Sequence, residues 1–151
     1  ASKYENIFLS LGFHPSEANY INGEDIIELK RIIKNNKKVV AVGEIGLDYH
    51  WEKDNKEKQK ELFRSMIFLA KELELPVIIH SRDAFQDTYN ILKESSISGV
   101  IHCFSGSKEN AKMYINIGFL LGIGGVVTFK NTNLKEVVKS INEDITYITK
   151  I

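Results

Sequence analysis

Short apolar runs alternate with amphipathic stretches about six times along this chain, which predicts an α/β fold on a parallel sheet with right-handed crossovers. The runs are almost entirely apolar rather than alternating, as strands covered on both faces are. Two prolines and no low-complexity linker interrupt the 151 residues, so 1–151 reads as a single domain. Such units build either an open doubly wound sheet or a (β/α) barrel, and six units fall two short of an eight-stranded barrel. No G-x-G-x-x-G follows a strand; Gly122-Ile123-Gly124-Gly125 comes late and has the wrong spacing for a dinucleotide loop.

The strand-like runs are, in order, Ile7–Leu11, Val39–Val42, Val77–Ile79, Val100–Ile101, Phe119–Ile123 and Ile145–Ile148. Between them lie helical patterns. The spacing over Glu24–Asn35 places Ile26, Leu29 and Ile33 on one side, and Asn22-Gly23 supplies the start signal. Lys56–Leu73 is the clearest helix: Leu62, Met66, Leu69 and Leu73 recur at spacings of three and four, beside Phe63, Ile67 and Ala70. Pro76 follows it closely and opens the next strand. Asp83–Glu94, Lys108–Asn116 and the short Leu134–Ser140 complete the helical series.

Composition narrows function before any motif is read. Apolar residues at 43% and charged residues at 26% fit a folded globular chain and not a disordered one. Twenty Lys plus Arg offset twenty Asp plus Glu, which excludes a globally basic nucleic-acid binder while leaving room for a local patch. The single cysteine, Cys103, cannot form an internal disulfide and fits a reducing, cytoplasmic setting. No apolar run approaches the roughly 20 residues needed to span a bilayer, so no membrane association is expected. The opening ASKYENIFLS lacks the basic head of a signal peptide. The chain starts at Ala1, with Met66 and Met113 as its only methionines, so either an initiator has been removed or a longer protein has been cut.

The polar residues fall in register with the repeat. His14 follows the first run, Glu44 follows Val39–Val42 and Gly43, His80 follows Val77–Ile79, and His102 follows Val100–Ile101. In parallel α/β architectures the carboxyl ends of the strands surround the ligand crevice. Imidazole and carboxylate gathered on that rim are the donors used by Zn²⁺, Mn²⁺ and similar cations. A lone strand-end histidine is more often structural, but four such residues in register favour a metal or catalytic rim. Other polar residues have plainer readings. His50 is expected to be a loop residue packing on Trp51. Cys103 is expected to be a buried, inert thiol, since strand alternation would send it away from His102. Ser105, in Phe104-Ser105-Gly106-Ser107, lacks the hydrolase G-x-S-x-G spacing and reads as a turn or helix cap. Asn35-Asn36-Lys37-Lys38 reads as a helix-to-strand turn, and Lys34, Lys37, Lys38, Lys53, Lys56, Lys58 and Lys60 as solvated faces.

Five blocks in order carry a family resemblance. Gly12-Phe13-His14-Pro15 comes first, followed by Gly43-Glu44-Ile45-Gly46-Leu47-Asp48-Tyr49 and by Leu75-Pro76-Val77-Ile78-Ile79-His80-Ser81-Arg82-Asp83-Ala84. His102-Cys103-Phe104-Ser105-Gly106 and Gly124-Gly125-Val126-Val127-Thr128-Phe129 follow. Together they resemble the TatD-type metal-dependent deoxyribonucleases. The resemblance implies a TIM-like (β/α) barrel with about six of eight units present, and a cleft holding one or two divalent metal ions (Mg, Mn, Zn or Ni). It implies a hydrolase of phosphodiester bonds acting on DNA ends, so that the partner is DNA or a nucleotide phosphodiester. By position, Glu44 is the catalytic, metal-binding carboxylate, His80 and His102 are metal ligands, and His14 sits near the substrate phosphate. Arg82 is a weaker candidate for a phosphate or structural contact.

The departures from the family pattern matter equally. The family's barrel opens with an H-x-H pair, and none occurs here. An E-T-D block supplies an Asp after its last strand, whereas Thr149-Lys150-Ile151 follow the final run here without a carboxylate. The second position of the usual HPH block is Ser16. The chain therefore matches the middle of the family's barrel, with about half of its ligand set. Two alternatives stand beside the nuclease. The same rim could hydrolyse another ester, an amide or a small phosphoester. The isolated chain could equally be a catalytically incompetent barrel fragment or an interaction protein whose open sheet edges pair with another chain.

Overall fold

The computed structural model describes residues 3–51 and 53–141, and the backbone of 148–150. Its elements are β1 (Leu9–Leu11), a single 3-10 turn (Pro15–Glu17), α1 (Gly23–Lys34), β2 (Val39–Asp48), α2 (Lys56–Glu72) and β3 (Val77–Arg82). They continue with α3 (Phe85–Ser95), β4 (Gly99–Ile101), α4 (Lys108–Asn116), β5 (Phe119–Ile123), a second 3-10 turn (Gly125–Thr128), α5 (Leu134–Ile141) and β6 (Ile148–Lys150).

Local chemistry explains the helix ends. Asn22 accepts from the backbone N–H of Glu24 and Asp25, while the Asp25 carboxylate accepts from the N–H of Asn22, which closes a capping box on α1. At the other end of α2, the N–H of Leu75 reaches the carbonyl of Ala70 and that of Glu74 reaches Lys71. This is a Schellman turn, with Glu74 in the left-handed region at φ 54° and Pro76 just beyond. Asn36 accepts from the N–H of Lys38 and forms the expected turn into β2.

All six strands are parallel, and each pairs with its neighbour in sequence, in the order β1-β2-β3-β4-β5-β6. A doubly wound sheet reverses its winding at a switch point. This sheet never does, so the architecture is an arc of a TIM-type barrel. The apolar face of α2 (Leu62, Phe63, Met66, Ile67, Leu69, Ala70) packs on β2, and α4 packs on β5 and α5. Between these helices and the sheet lies a continuous core that includes Val42, Ile45, Leu47, Ile79, Ile101 and Leu121. Among the described residues no helix is long and apolar enough to cross a membrane.

Two strands run further than their apolar runs. β2 continues from Val42 to Asp48, and β3 from Ile79 to Arg82, because Ile45–Asp48 pair with Ile79–Arg82 beyond a register shift at 42–45. Glu44 therefore lies within β2 and His80 within β3, rather than just past them. Backbone pairing to a neighbour, which hydropathy does not report, sets those lengths. β1 starts only at Leu9, after the exposed Ile7 and Phe8. Of the expected Ile145–Ile148 strand, residues 145–147 lie outside the described residues. Thr149 and Lys150 belong to β6 instead of following it.

Gly46 makes the β2–β3 approach possible. Its φ is +142°, and a Cβ there would fall on the carbonyl oxygen of His80. We expect Gly46→Ala to destabilise the fold by about 3 kcal/mol, from backbone strain and overpacking together. Gly23→Ala, where an added Cβ meets nothing within 4 Å, should stay within about 0.5 kcal/mol. Urea unfolding midpoints of the two variants test the contrast.

Candidate metal centre

The winding of the sheet brings the four singled-out residues to one rim although they are far apart in sequence. Oε1 of Glu44 lies 3.4 Å from Nδ1 of His80 and 3.8 Å from Nε2 of His102. The His14 ring meets the His80 ring edge-on, with centroids 4.6 Å apart. His14 also caps the Pro15–Glu17 turn: its Nδ1 accepts from the N–H of Ser16 and lies 2.9 Å from the Ser16 hydroxyl. The accepted bond assigns the proton of the neutral ring to Nε2.

Asp48 received no role from the sequence beyond its place in the motif, yet it organises the rim. Its Oδ2 lies 2.9 Å from Nε2 of His80, and its Oδ1 accepts from the N–H groups of His50 and Trp51 at 2.9 and 3.3 Å. Its main chain is clamped in turn by Gln59 of α2. Gln59 Oε1 accepts from the Asp48 N–H at 2.9 Å, and Nε2 donates to the Asp48 carbonyl at 2.9 Å and to Asn55 Oδ1 at 2.8 Å. A signal for Gln59 was present in the sequence: it stands three residues before Leu62, a polar side chain on the apolar stripe of α2. It is fully buried.

The electrostatics follow from these contacts. The adjacent His80 imidazole holds the Glu44 carboxyl below its ordinary value against the opposing effect of burial. Burial is the largest influence on Asp48 and would raise it, but the bonds from His80, His50 and Trp51 outweigh it and lower the group. Burial likewise acts most strongly on His80 and would lower it; Glu44 and Asp48 together raise it instead. His14 is lowered, first by burial and then by the neighbouring His80, so its neutral form is favoured.

These residues fit a divalent cation in their chemistry. Oε1 of Glu44 is buried and accepts no hydrogen bond, an orphaned lone-pair donor facing two imidazoles. A neutral His80 donating from Nε2 to Asp48 keeps an unprotonated Nδ1 towards Glu44, the carboxylate–histidine pairing common behind metal ligands. The spacings are those of mutual contact. Among the described residues no group of three or more His, Cys, Asp or Glu side chains is arranged to hold a metal ion.

The surrounding residues confirm some expectations and correct others. His50 does pack on Trp51, ring edge to ring at 4.7 Å, and its Nδ1 also pairs with Asp83 at 2.9 Å. Arg82 turns its guanidinium to the Trp51 ring, 5.5 Å from the centroid. Cys103 is exposed rather than buried, and its Sγ lies 3.2 Å from His102 Nε2. The chain leaves the ladder at Ile101, and Cys103 adopts φ 45°, so strand alternation no longer separates the two side chains. Gly124, after β5, makes room for that sulfur: a Cβ there would approach it to 3.1 Å. The cap of α4 is Ser107, which accepts from the N–H of Asn110, and not Ser105. Of the lysines read as solvated, Lys60 bridges Glu57 and Asp87, Lys38 donates to the carbonyls of Tyr4 and Glu5, and Lys56 lies over the Tyr49 ring.

Comparison with known proteins matches this geometry to a family. The family described as TatD related DNase matches residues 1–146. An uncharacterized metal-dependent hydrolase of Bacillus subtilis, YabD, is 48% identical over 146 residues, covering 94% of this chain and 57% of its own length. The YcfH hydrolase of Escherichia coli K12, also described as uncharacterized and metal-dependent, is 39% identical over 130 residues, covering 84% and 48%. Among solved structures, the TatD homologue YjjV of Escherichia coli K12 superposes with a TM-score of 0.84 at 32% identity, over 91% of this chain and 54% of that one. A TatD-family hydrolase from Entamoeba histolytica gives 0.78 at 33% identity, over 91% and 50%. The chain thus spans about half the length of the relatives it matches.

The Gln59 clamp makes a prediction. Gln59→Leu keeps the side-chain volume but strands the N–H and carbonyl of Asp48. At about 1–3 kcal/mol per unsatisfied buried group, a loss of roughly 2–4 kcal/mol in unfolding free energy is expected. Denaturant titration measures it, and a variant as stable as the parent would show that the clamp carries no strain-free packing advantage over leucine.

Proposed function

The chain belongs to the TatD-related DNase family, and from that membership we propose that it forms part of a metal-dependent hydrolase of phosphodiester bonds, a nuclease acting on DNA ends. The observation that carries the proposal is the buried, unpartnered Oε1 of Glu44 facing Nδ1 of His80 and Nε2 of His102. Relatives named as metal-dependent hydrolases support the coarser half of it. Residues 1–151 are read as one partial catalytic domain, and the single unpaired Cys103 supports a cytoplasmic setting.

In this reading Glu44, His80 and His102 hold one or two divalent ions, whose identity among Mg, Mn, Zn and Ni the mixed N/O donor set leaves open. When bound, such ions supply Lewis-acid stabilisation of a phosphoryl oxygen and a water acidified to near-neutral pH. The protein's own groups do the rest. The ionised Glu44 brings full negative charge and two oxygens to a half-buried position. Asp48 fixes the ring orientation and tautomer of His80 and increases its donor strength. His14, kept neutral and protonated on Nε2, offers a hydrogen bond to a phosphate oxygen without competing as a base. A second reading, hydrolysis of another ester, an amide or a small phosphoester, uses the same residues and differs only in substrate.

The test is hydrolysis of a single-stranded DNA by the full protein with Mg²⁺, Mn²⁺ or Zn²⁺. Chelation should abolish activity and re-addition of the ion should restore it. Glu44→Ala is expected to lower kcat/KM by at least about 100-fold, and Asp48→Asn by about 10–100-fold. Unchanged activity in Glu44→Ala would sink the proposal. Metal-dependent cleavage of amides or simple esters with none of DNA would favour the second reading.

A further inference from the structure

Trp51 is the only tryptophan of the chain and is 72% exposed, an unusual place for the largest aromatic side chain. A single exposed apolar residue needs no explanation by itself. This one is held on three sides. Its backbone N–H donates to Oδ1 of Asp48, the same carboxylate whose Oδ2 binds His80. His50 abuts the indole at 85° between ring planes and is itself anchored by Asp83. Arg82, which makes no ion pair among the described residues, places its guanidinium over the ring. The ring therefore stands next to the Asp48 that binds His80, open to solvent, with a cation beside it.

An exposed indole flanked by a guanidinium is what single-stranded nucleic-acid grooves use to hold bases, because every base has a π face. A duplex interior offers no free face, so the ligand that fits is an unpaired or terminal base. Resting on the nuclease reading above, we infer that Trp51, with Arg82, is a nucleobase platform that docks an unstacked base of the substrate strand beside the phosphate held at Glu44, His80 and His102. Stacking of this kind is tolerant of sequence. Trp51 would then favour single strands and frayed ends over paired DNA without selecting among bases.

The test compares the full wild-type protein with Trp51→Ala and Trp51→Phe, using a short oligothymidylate and an abasic sugar–phosphate oligomer of equal length. Trp51→Ala should raise KM for oligothymidylate about 5- to 100-fold, leave kcat within about two-fold, and leave KM for the abasic oligomer unchanged. Trp51→Phe, which keeps an aromatic face, should restore most of the affinity. In chelator, where nothing is cleaved, oligothymidylate should quench the part of the tryptophan emission that Trp51→Phe removes, and the abasic oligomer should not. Equal KM for oligothymidylate in wild type and Trp51→Ala overturns the inference, as does an equal rise for both oligomers. Loss of the platform effect with Glu44-dependent cleavage intact defeats this inference alone. Base-dependent quenching without any phosphodiester cleavage defeats the nuclease reading and leaves the platform standing.

Discussion

The Asp48 side chain is 7% exposed, and a charge that deep is tolerated only when its lone pairs are filled. They are filled by three groups from two places: the His80 imidazole on β3 and two N–H groups of the turn that follows β2. The main chain that carries the carboxylate is held from behind by Gln59 on α2. One buried anion thus couples a helix, two strands and the rim loop. The coupling works in both directions, because the same bonds that keep Asp48 ionised also fix the orientation of His80 and the position of Trp51. A disturbance of α2 near Gln59 is therefore transmitted to the rim without any change in the rim residues themselves.

The sheet supplies the second constraint. Parallel strands wound in sequence order bring Glu44, His80 and His102 side by side, since each strand delivers its rim residue next to that of its predecessor. The β2–β3 approach is close enough that position 46 admits no Cβ. That closeness is what leaves Oε1 of Glu44 buried between two imidazoles instead of solvated. Gly43 and Gly46 act by making room for the neighbouring strand, and Gly124 by making room for the Cys103 sulfur.

The helices were legible because their signal is local. The period of Lys56–Leu73 and the whole of Lys108–Asn116 follow from side chains three and four residues apart, and Asn22 with Asp25 marks a helix start without tertiary information. The strands were legible only in their apolar halves. β2 and β3 continue through Glu44, Asp48, His80 and Arg82, where the ladder persists and the side chains turn polar, because that end of the sheet faces the crevice. Cys103 departs from the buried position expected of it for a related reason: strand alternation ends at Ile101, where the chain leaves the ladder. Asp48 and Gln59 escaped because their roles are relational. An acid at the end of a strand and a glutamine on an apolar stripe become a clamp only when the two elements are brought together.

Balanced charge takes on a particular meaning at this rim. This end of the sheet carries the carboxylates of Glu44, Asp48 and Asp83 beside His80 and His50, so it presents little net attraction to a phosphate on its own. Divalent ions bound where these donors converge would reverse the local sign and would confine phosphate recognition to that point. Affinity for the rest of a nucleic-acid strand must then come from a source other than clustered lysines, since the chain has no surplus of them. Aromatic stacking is such a source, and it differs from charge in its consequences. It releases few counterions, so binding would depend less steeply on salt than in a basic groove. It also requires a base already out of the helix, so discrimination between paired and unpaired ends arises from the cost of unstacking. In the proposed reading a chain of balanced charge would prefer strand ends for one reason: phosphate would be held by ions at a point, and the strand by the face of a ring.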